Sequence, residues 1–140
     1  MRIRRAPSPA TSAGTVAWSP RVLGTFLLGM GALHFLVPRA FDRLVPAALG
    51  PARLWVLLSG AAEIGSGAAL LWPPTRRAGA WGAAATMVAV FPGNVKMAMD
   101  AGAPVGAVAI ALWLRLPLQL PLVVWAARCA RTGGSSGRQV

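Results

Sequence analysis

Two charged side chains interrupt long apolar stretches of this chain and are its best candidates for chemistry. Glu63 is the one ionisable residue within residues 54–72, and Arg115 lies in the last apolar stretch. A charge at the centre of a bilayer is disfavoured by about 2.5–3.5 kcal/mol on insertion scales, so such residues face other helices and mark proton, ion or substrate paths. The two lie at similar depth in their stretches, which predicts an ion pair. A pair that only fixes the helix register is the alternative.

Small residues surround Glu63 at helical spacing. Ser59, Gly60, Ser66 and Gly67 lie three or four residues from it and therefore share one face of a helix. Small side chains allow neighbouring helices to approach closely. We therefore expect this face to pack against the rest of a helical bundle, with Glu63 inside.

A second group of polar residues falls near one end of the predicted spans. Pro92 has no backbone N–H and Gly93 is flexible, so the third span should be broken there and free the carbonyls of Val88 and Ala89. A broken helix at membrane depth needs protein or water to satisfy its backbone. We therefore predict a small polar pocket that opens to the outer side of the membrane. Its six candidate residues are His34, Glu63, Asn94, Lys96, Arg115 and Gln119.

Each of the outer residues also has a structural interpretation. His34 and Asn94 are the expected hydrogen-bond partners of the freed carbonyls, and a structural histidine is the alternative to a functional one. Lys96 has the alternative of a lysine whose ammonium group reaches the membrane interface. Gln119 lies one helical turn beyond the buried arginine and is expected to add a hydrogen bond to the ion pair.

No motif of an enzyme or a cofactor site accompanies these residues. The sequence has no zinc or haem spacing of His, Cys and carboxylates, no phosphate-binding glycine loop and no Gly-x-Ser-x-Gly. Its one cysteine, Cys129, excludes an internal disulfide. We therefore predict no catalytic residue, no metal site and no autonomous oxidoreductase. A quinone is a candidate cofactor that no motif supports.

The overall composition is that of a membrane protein. Hydrophobic residues make up 56% of the chain and charged residues 12%, against roughly 25% charged residues in soluble domains. The mean hydropathy is +0.59. The net charge of +11 resides at the ends of the chain and in the turns, where cytoplasmic loops carry basic residues and meet anionic lipid. This distribution favours the lipid bilayer as partner and argues against nucleic acid.

Helix signals divide the chain into four spans within one domain. Ser19 and Pro20 form a helix start, because serine caps helices and proline suits the first position. Thr75 is expected to cap the third helix, and a short helix through Phe41 to lie in the membrane interface. The predicted spans cover residues 20–37, 54–72, 76–99 and 104–127. The predicted regions are a disordered basic tail at 1–19, the transmembrane domain at 20–127 and a polar basic tail at 128–140.

Basic residues select the orientation of such a bundle. Nine of them fall in or beside the two tails and in the turn at Arg76 and Arg77, against four in the other connectors. We therefore predict an all-α, multi-pass plasma-membrane protein, a four-helix transmembrane bundle with both termini cytoplasmic. The excess of arginine over lysine, 13 to 1, indicates a high-GC bacterial genome.

Several short motifs occur in a particular order along the chain. They are Gly31-Ala32-Leu33-His34-Phe35, Phe41 with Val45-Pro46, Ser59-Gly60-Ala61-Ala62-Glu63, Phe91-Pro92-Gly93-Asn94 with Met97-Ala98, Arg115-Leu116-Pro117-Leu118-Gln119, and Trp125. In this order and spacing they resemble the DoxX-like family of small bacterial membrane proteins, over residues 21–127. The chain departs from the family pattern at Gly93, where alanine is expected, and at Gly50, where the connector usually reaches proline sooner.

The resemblance implies a four-helix bundle and a place beside redox enzymes. The family takes its name from a membrane subunit associated with quinone-linked thiosulfate oxidation. Other members are linked to redox complexes or to the folding of partner membrane proteins. The resemblance therefore implies a membrane redox complex as the partner.

Three functions remain open from the sequence. The first is an accessory subunit of a membrane redox or quinone-reactive complex, whose outward pocket receives a quinone head group or a small solute. The second is a non-enzymatic scaffold or assembly factor, and the third is a small-solute or proton carrier that uses Glu63. A homo-oligomer is an open alternative. The scaffold would act through two faces of small residues at four-residue spacing: Ala61, Gly65 and Ala69, and Ala78, Gly82 and Thr86.

Overall fold

The computed structural model describes residues 19–132, and every regular element in that range is a helix. Within these residues six α-helices follow one another, with short 3₁₀ turns at Ala47–Leu49 and Pro73–Thr75. The all-α class predicted from the sequence is confirmed. The helices are α1 (Pro20–Leu36), α2 (Pro38–Asp42), α3 (Ala52–Leu71), α4 (Arg76–Ala89), α5 (Phe91–Asp100) and α6 (Ala107–Thr132).

The start of α1 follows the predicted helix signal. The Ser19 hydroxyl accepts a hydrogen bond from the Arg21 N–H at 3.3 Å, and Pro20 occupies the first helical position. Thr75 occupies the N-cap position of α4, but its side chain makes no cap hydrogen bond. Its hydroxyl instead donates to the Ala69 carbonyl at 2.9 Å. Thr75 therefore ties the turn to α3 rather than capping α4.

Glycines bring α1 and α3 into close antiparallel contact. A Cβ added at Gly24 would lie 2.9 Å from the Gly67 carbonyl oxygen, and one added at Gly31 would lie 2.7 Å from the Gly60 carbonyl oxygen. Both distances are shorter than real Cβ contacts, so only glycine fits at this crossing. The predicted close packing of the Gly60 and Gly67 face is confirmed, and it positions His34 of α1 opposite α3.

The helix α4 packs between α3 and α6. A Cβ at Gly82 would lie 2.6 Å from the Ser66 hydroxyl, so α4 also approaches α3 closely. The last helix packs on α4 and α5 but makes no substantial contact with α3. The largest fully buried side chains are Leu23, Leu70 and Cys129, which belong to the core shared by α1, α3, α4 and α6.

The third predicted span is divided into two helices. The break falls at Val90, where the N–H groups of Gly93 and Asn94 both donate to the Val90 carbonyl. Pro92 occupies the first turn of α5, where its missing N–H has no helical partner to lose. The break expected at residues 91–94 is therefore present, immediately ahead of that position.

The last helix differs from the prediction at both ends. It begins at Ala107 rather than Pro104, because Gly102 and Gly106 adopt positive φ angles of 70° and 87° and keep the turn out of the helix. It then continues through Pro117 to Thr132, beyond the expected end near residue 127. Residues 128–132 are thus helical, whereas most of the predicted tails, residues 1–18 and 133–140, lie outside the described residues.

In the part of the chain that the structure describes, two helices, Ala52–Leu71 and Ala107–Arg131, are long and apolar enough to cross a membrane. The first helix is apolar but shorter, with 17 residues. In the most apolar 18-residue stretch of the last helix, only 11% of the residues are buried inside the structure. This helix therefore presents most of its apolar surface to its surroundings.

Candidate functional site

A cavity of about 480 Å³ lies between α1, the connector that follows it, α3 and the α4–α5 break. Four of the six predicted pocket residues line it: His34, Glu63, Asn94 and Arg115. The connector between α1 and α3 forms one wall through Phe41, Leu44, Val45, Pro46 and Leu49. The cavity therefore combines apolar walls with a few converging polar groups, as small-molecule sites do.

Glu63 and His34 form an acid–base pair at this cavity. The exposed fractions of the two residues are 9% and 7%, and His34 Nδ1 lies 3.4 Å from Glu63 Oε2. His34 Nδ1 also lies 2.8 Å from the Met30 carbonyl oxygen, which can only accept, so Nδ1 carries a proton. Glu63 Oε2 is buried without a hydrogen-bond partner. The pair therefore lines the cavity and holds a buried carboxyl oxygen that lacks a hydrogen bond.

The His34 ring is held from its other side by the connector. It stacks on Phe41 with ring centroids 4.0 Å apart and an angle of 21° between the planes. The stacking and the bond to Met30 together fix the orientation of the imidazole ring. His34 therefore presents its second ring nitrogen, Nε2, in a defined direction.

The expected ion pair between Glu63 and Arg115 is not formed. The partner of Glu63 is His34, and Arg115 is an exposed residue that lines the same cavity from α6. The similar positions of Glu63 and Arg115 along their helices do not determine which way each side chain points around its helix axis. Because α6 packs on α4 and α5 rather than on α3, the two side chains approach the cavity from different sides.

Gln119 supports the break between α4 and α5. Its Nε2 group donates to the Met87 carbonyl oxygen, and its Oε1 atom accepts from Asn94 Nδ2 at 2.6 Å. All three groups are buried, and the carbonyl fixes which way both amides point, because it can only accept. The expected bond from Gln119 to the ion pair is replaced by this network. The expected donation by His34 to the carbonyls at the break is replaced as well.

Lys96 lies outside the cavity lining. Its ammonium group donates to the Arg43 carbonyl at 3.1 Å and forms an ion pair with Asp100 one helical turn away. Its contact with the connector shows a structural role for this lysine. Lys96 therefore fastens the connector to α5.

A second contact that fastens the connector, between Arg53 and Asp42, was not predicted from the sequence. Arg53 binds Asp42 through two nitrogens, with the shortest distance 2.6 Å, and its hydrogen bond holds the pKa of Asp42 below its ordinary value. Trp55 Nε1 donates to the Leu49 carbonyl at 2.7 Å. The small number of acidic residues could have indicated these contacts, because each acid in so basic a chain is expected to have a basic partner. The chain has three carboxylate side chains, and each of them has a basic partner: Asp42, Glu63 and Asp100.

Residues 19–132 contain no group of three or more His, Cys, Asp or Glu side chains that could hold a metal ion. The polar side chains of the cavity wall are the His34–Glu63 pair, Arg115, the amide of Asn94, the hydroxyl groups of Ser59 and Thr86, and the indole of Trp55. Such groups bind and orient a ligand or exchange a proton with it.

The fold and the cavity define the class: an all-helical protein with strongly apolar helices around a small polar site. Residues 23–130 match the family model described as "Domain of unknown function (DUF8561)", and the chain belongs to this family. No curated protein and no solved structure matches the chain.

Proposed function

We propose that this protein is a DoxX-like, four-span protein of the bacterial plasma membrane and an accessory subunit of a quinone-linked redox complex. Its cavity receives the head group of the quinone, and the partner complex carries the redox centre. Both termini lie in the cytoplasm, so the cavity opens toward the outer side of the membrane.

The helices support a membrane location. Two of them have the length and hydropathy of a span. The remaining two spans in the proposal are α1 and the broken helix formed by α4 and α5. Exposed apolar side chains on the last helix, Val108, Leu118 and Leu120, are between 60% and 75% exposed and suit contact with lipid.

One observation carries the quinone proposal: apolar walls and a buried acid–base pair face the same cavity of about 480 Å³. A quinone head is an apolar ring with two oxygens, so it needs an apolar slot with polar groups at the ends. Phe41 and Trp55 supply aromatic surface, whereas Glu63, His34 and Arg115 supply polar contacts. A lipid-soluble ligand also matches a protein with exposed apolar helices.

Tryptophan fluorescence tests the proposal directly, because Trp55 lines the cavity. Titration of the purified protein with decyl-ubiquinone is expected to give saturable quenching, which Trp55→Phe weakens. Ala62→Phe fills the cavity and should abolish binding. Ala61→Phe is the matched control, because Ala61 is exposed beside it and does not line the cavity. Equal binding by both alanine variants, or quenching that does not saturate, contradicts the proposal.

An assembly factor is the second candidate, and the open face of α3 favours it. Ala61 and Gly65 are exposed, and nothing lies within 4 Å of a Cβ built at Gly65. The second small-residue face is already occupied, since Gly82 packs on Ser66. Co-purification from native membranes tests this candidate: Gly65→Leu should lose a partner protein that the Ala62→Phe variant keeps. Retention of every partner by Gly65→Leu contradicts it.

A further inference from the structure

We infer that the cavity selects a ligand that donates hydrogen bonds, which within the quinone class is the reduced, hydroxyl-bearing quinol. This inference rests on the proposed function and assigns the form of the ligand that the site holds. It follows from which donors of the cavity wall are already committed to the protein.

The two hydroxyl groups of the cavity wall have each used their proton. Ser59 donates to the Val56 carbonyl at 3.0 Å, and Thr86 donates to the Gly82 carbonyl at 2.9 Å. A hydroxyl has one proton and two lone pairs, so each oxygen is left as an acceptor. Both residues line the cavity.

The aromatic donors of the wall are committed in the same way. His34 directs its Nδ1–H at the Met30 carbonyl, so this N–H is not offered to a ligand. Trp55 uses its single N–H on the Leu49 carbonyl. Trp55 therefore has no N–H left for a ligand.

Asn94 and Glu63 complete the set of acceptors. Asn94 commits Nδ2 to Gln119, which leaves its Oδ1 atom as an acceptor, and both residues are buried. Glu63 is 9% exposed, and its buried Oε2 atom has no hydrogen-bond partner. A buried acceptor without a hydrogen-bond donor is disfavoured, so a ligand hydroxyl that reaches this carboxyl group gains affinity.

The uncommitted donors of the described wall are few. They are the guanidinium of Arg115, which approaches from the exposed side of α6, and the second Nδ2 hydrogen of Asn94. The two carbonyl oxygens of an oxidised quinone both need donors, whereas the two hydroxyl groups of a quinol both need acceptors. The wall therefore matches the quinol better than the quinone.

A comparison of three ligands on the purified full-length protein tests the inference. Isothermal titration would measure the Kd of decyl-ubiquinol under reducing, oxygen-free conditions, of decyl-ubiquinone, and of the dimethyl ether of the quinol. The ether keeps the ring and the tail but has no O–H donor. We expect the quinol to bind about tenfold more tightly than the other two, the effect of one hydrogen bond to a buried group.

Two variants locate the acceptors. Glu63→Gln replaces a carboxylate oxygen by a donor and should reduce the preference for the quinol severalfold, and Ser59→Ala provides a second test if the first variant does not fold. Asp100→Asn is the matched control, because it removes an exposed carboxylate outside the cavity and should keep the preference.

The outcomes separate the two claims. Equal Kd values for the three ligands, or tighter binding of the quinone, overturn the inference and leave the proposed function standing. An unchanged preference in both Glu63→Gln and Ser59→Ala also overturns it. Binding of none of the three ligands overturns the proposed function and the inference together.

Discussion

Gln119 joins the break between α4 and α5 to the last helix. It is 7% exposed, donates to the Met87 carbonyl and accepts from Asn94. Gln119→Leu should lower the free energy of unfolding by about 1–3 kcal/mol, because it leaves buried polar groups of both partners unpaired. Thermal unfolding in detergent measures the loss.

Leu120→Ala is the control for that prediction, since Leu120 neighbours Gln119 and is 70% exposed. Its effect should stay within about 0.5 kcal/mol, as for other surface positions. Equal losses in the two variants would contradict the structural role assigned to Gln119.

The partner of Glu63, His34, could not be predicted from the sequence. The spacing of Glu63 and Arg115 along their helices gave their depth, and depth alone left their direction around the helix axis open. The glycine contacts between Gly31 and Gly60 decide the pairing, because they place α1 against the Glu63 face of α3. Which helix packs against the Glu63 face of α3 depends on the packing of the whole bundle.

Among the helices, the crossing of α1 and α3 depends most strongly on glycine. A Cβ at Gly67 would lie 2.7 Å from the Gly24 carbonyl oxygen, whereas nothing lies within 4 Å of a Cβ at Gly65. Gly67→Ala should therefore destabilise the protein by about 1–3 kcal/mol through overpacking. Gly65→Ala should stabilise it by up to about 1 kcal/mol through helix propensity.

Unfolding of the two alanine variants in parallel gives a test with opposite signs. The substitutions are chemically identical and lie two residues apart in one helix, so detergent and expression effects are shared. The same sign for both variants would contradict the packing of α1 on α3.

The connector over the cavity should loosen in acid. The hydrogen bond from Arg53 lowers the pKa of Asp42 below its ordinary value of 3.8 in the folded protein. The stabilising effect of this pair is therefore complete above that value and is lost as the pH falls through the folded pKa. A nitroxide label at position 48, which is exposed in the connector, should become more mobile in that range.

Asp42→Asn is the control for the connector, because it removes the titrating group. A label on this variant should be mobile already at neutral pH and should show a weaker change in acid. A pH response of the label that is identical with and without the Asp42 carboxylate would contradict the fastening by Arg53.

Local signals predicted helices well and their ends less well. The serine–proline start of α1 and the break beside Pro92 follow from backbone chemistry that acts within one turn. The bounds of the last helix, α6, do not follow from such rules, since it continues through Pro117 and Pro121 and starts only after Gly106. The positive φ of Gly106 is compatible with its residue type but is not dictated by it.

At the scale of the whole molecule, the distribution of basic residues predicts the orientation in the membrane. Both termini should be cytoplasmic, because the basic residues concentrate in the tails and in the turn after α3. A reporter active only in the cytoplasm should give signal when fused after residue 140 and none when fused near residue 46. The reverse pattern would contradict the proposed topology and the outward opening of the cavity.

The central claim is that a quinone-type ring occupies the cavity between α1, the connector, α3 and the α4–α5 break. Photoaffinity labelling with an azido-quinone, followed by mass spectrometry of the labelled peptides, tests it most directly. We predict labels in the connector at residues 41–49 and on α3 at residues 55–63, removed by an excess of unlabelled decyl-ubiquinone. Labels spread over the exposed face of α6 that persist in the presence of the competitor would contradict the claim.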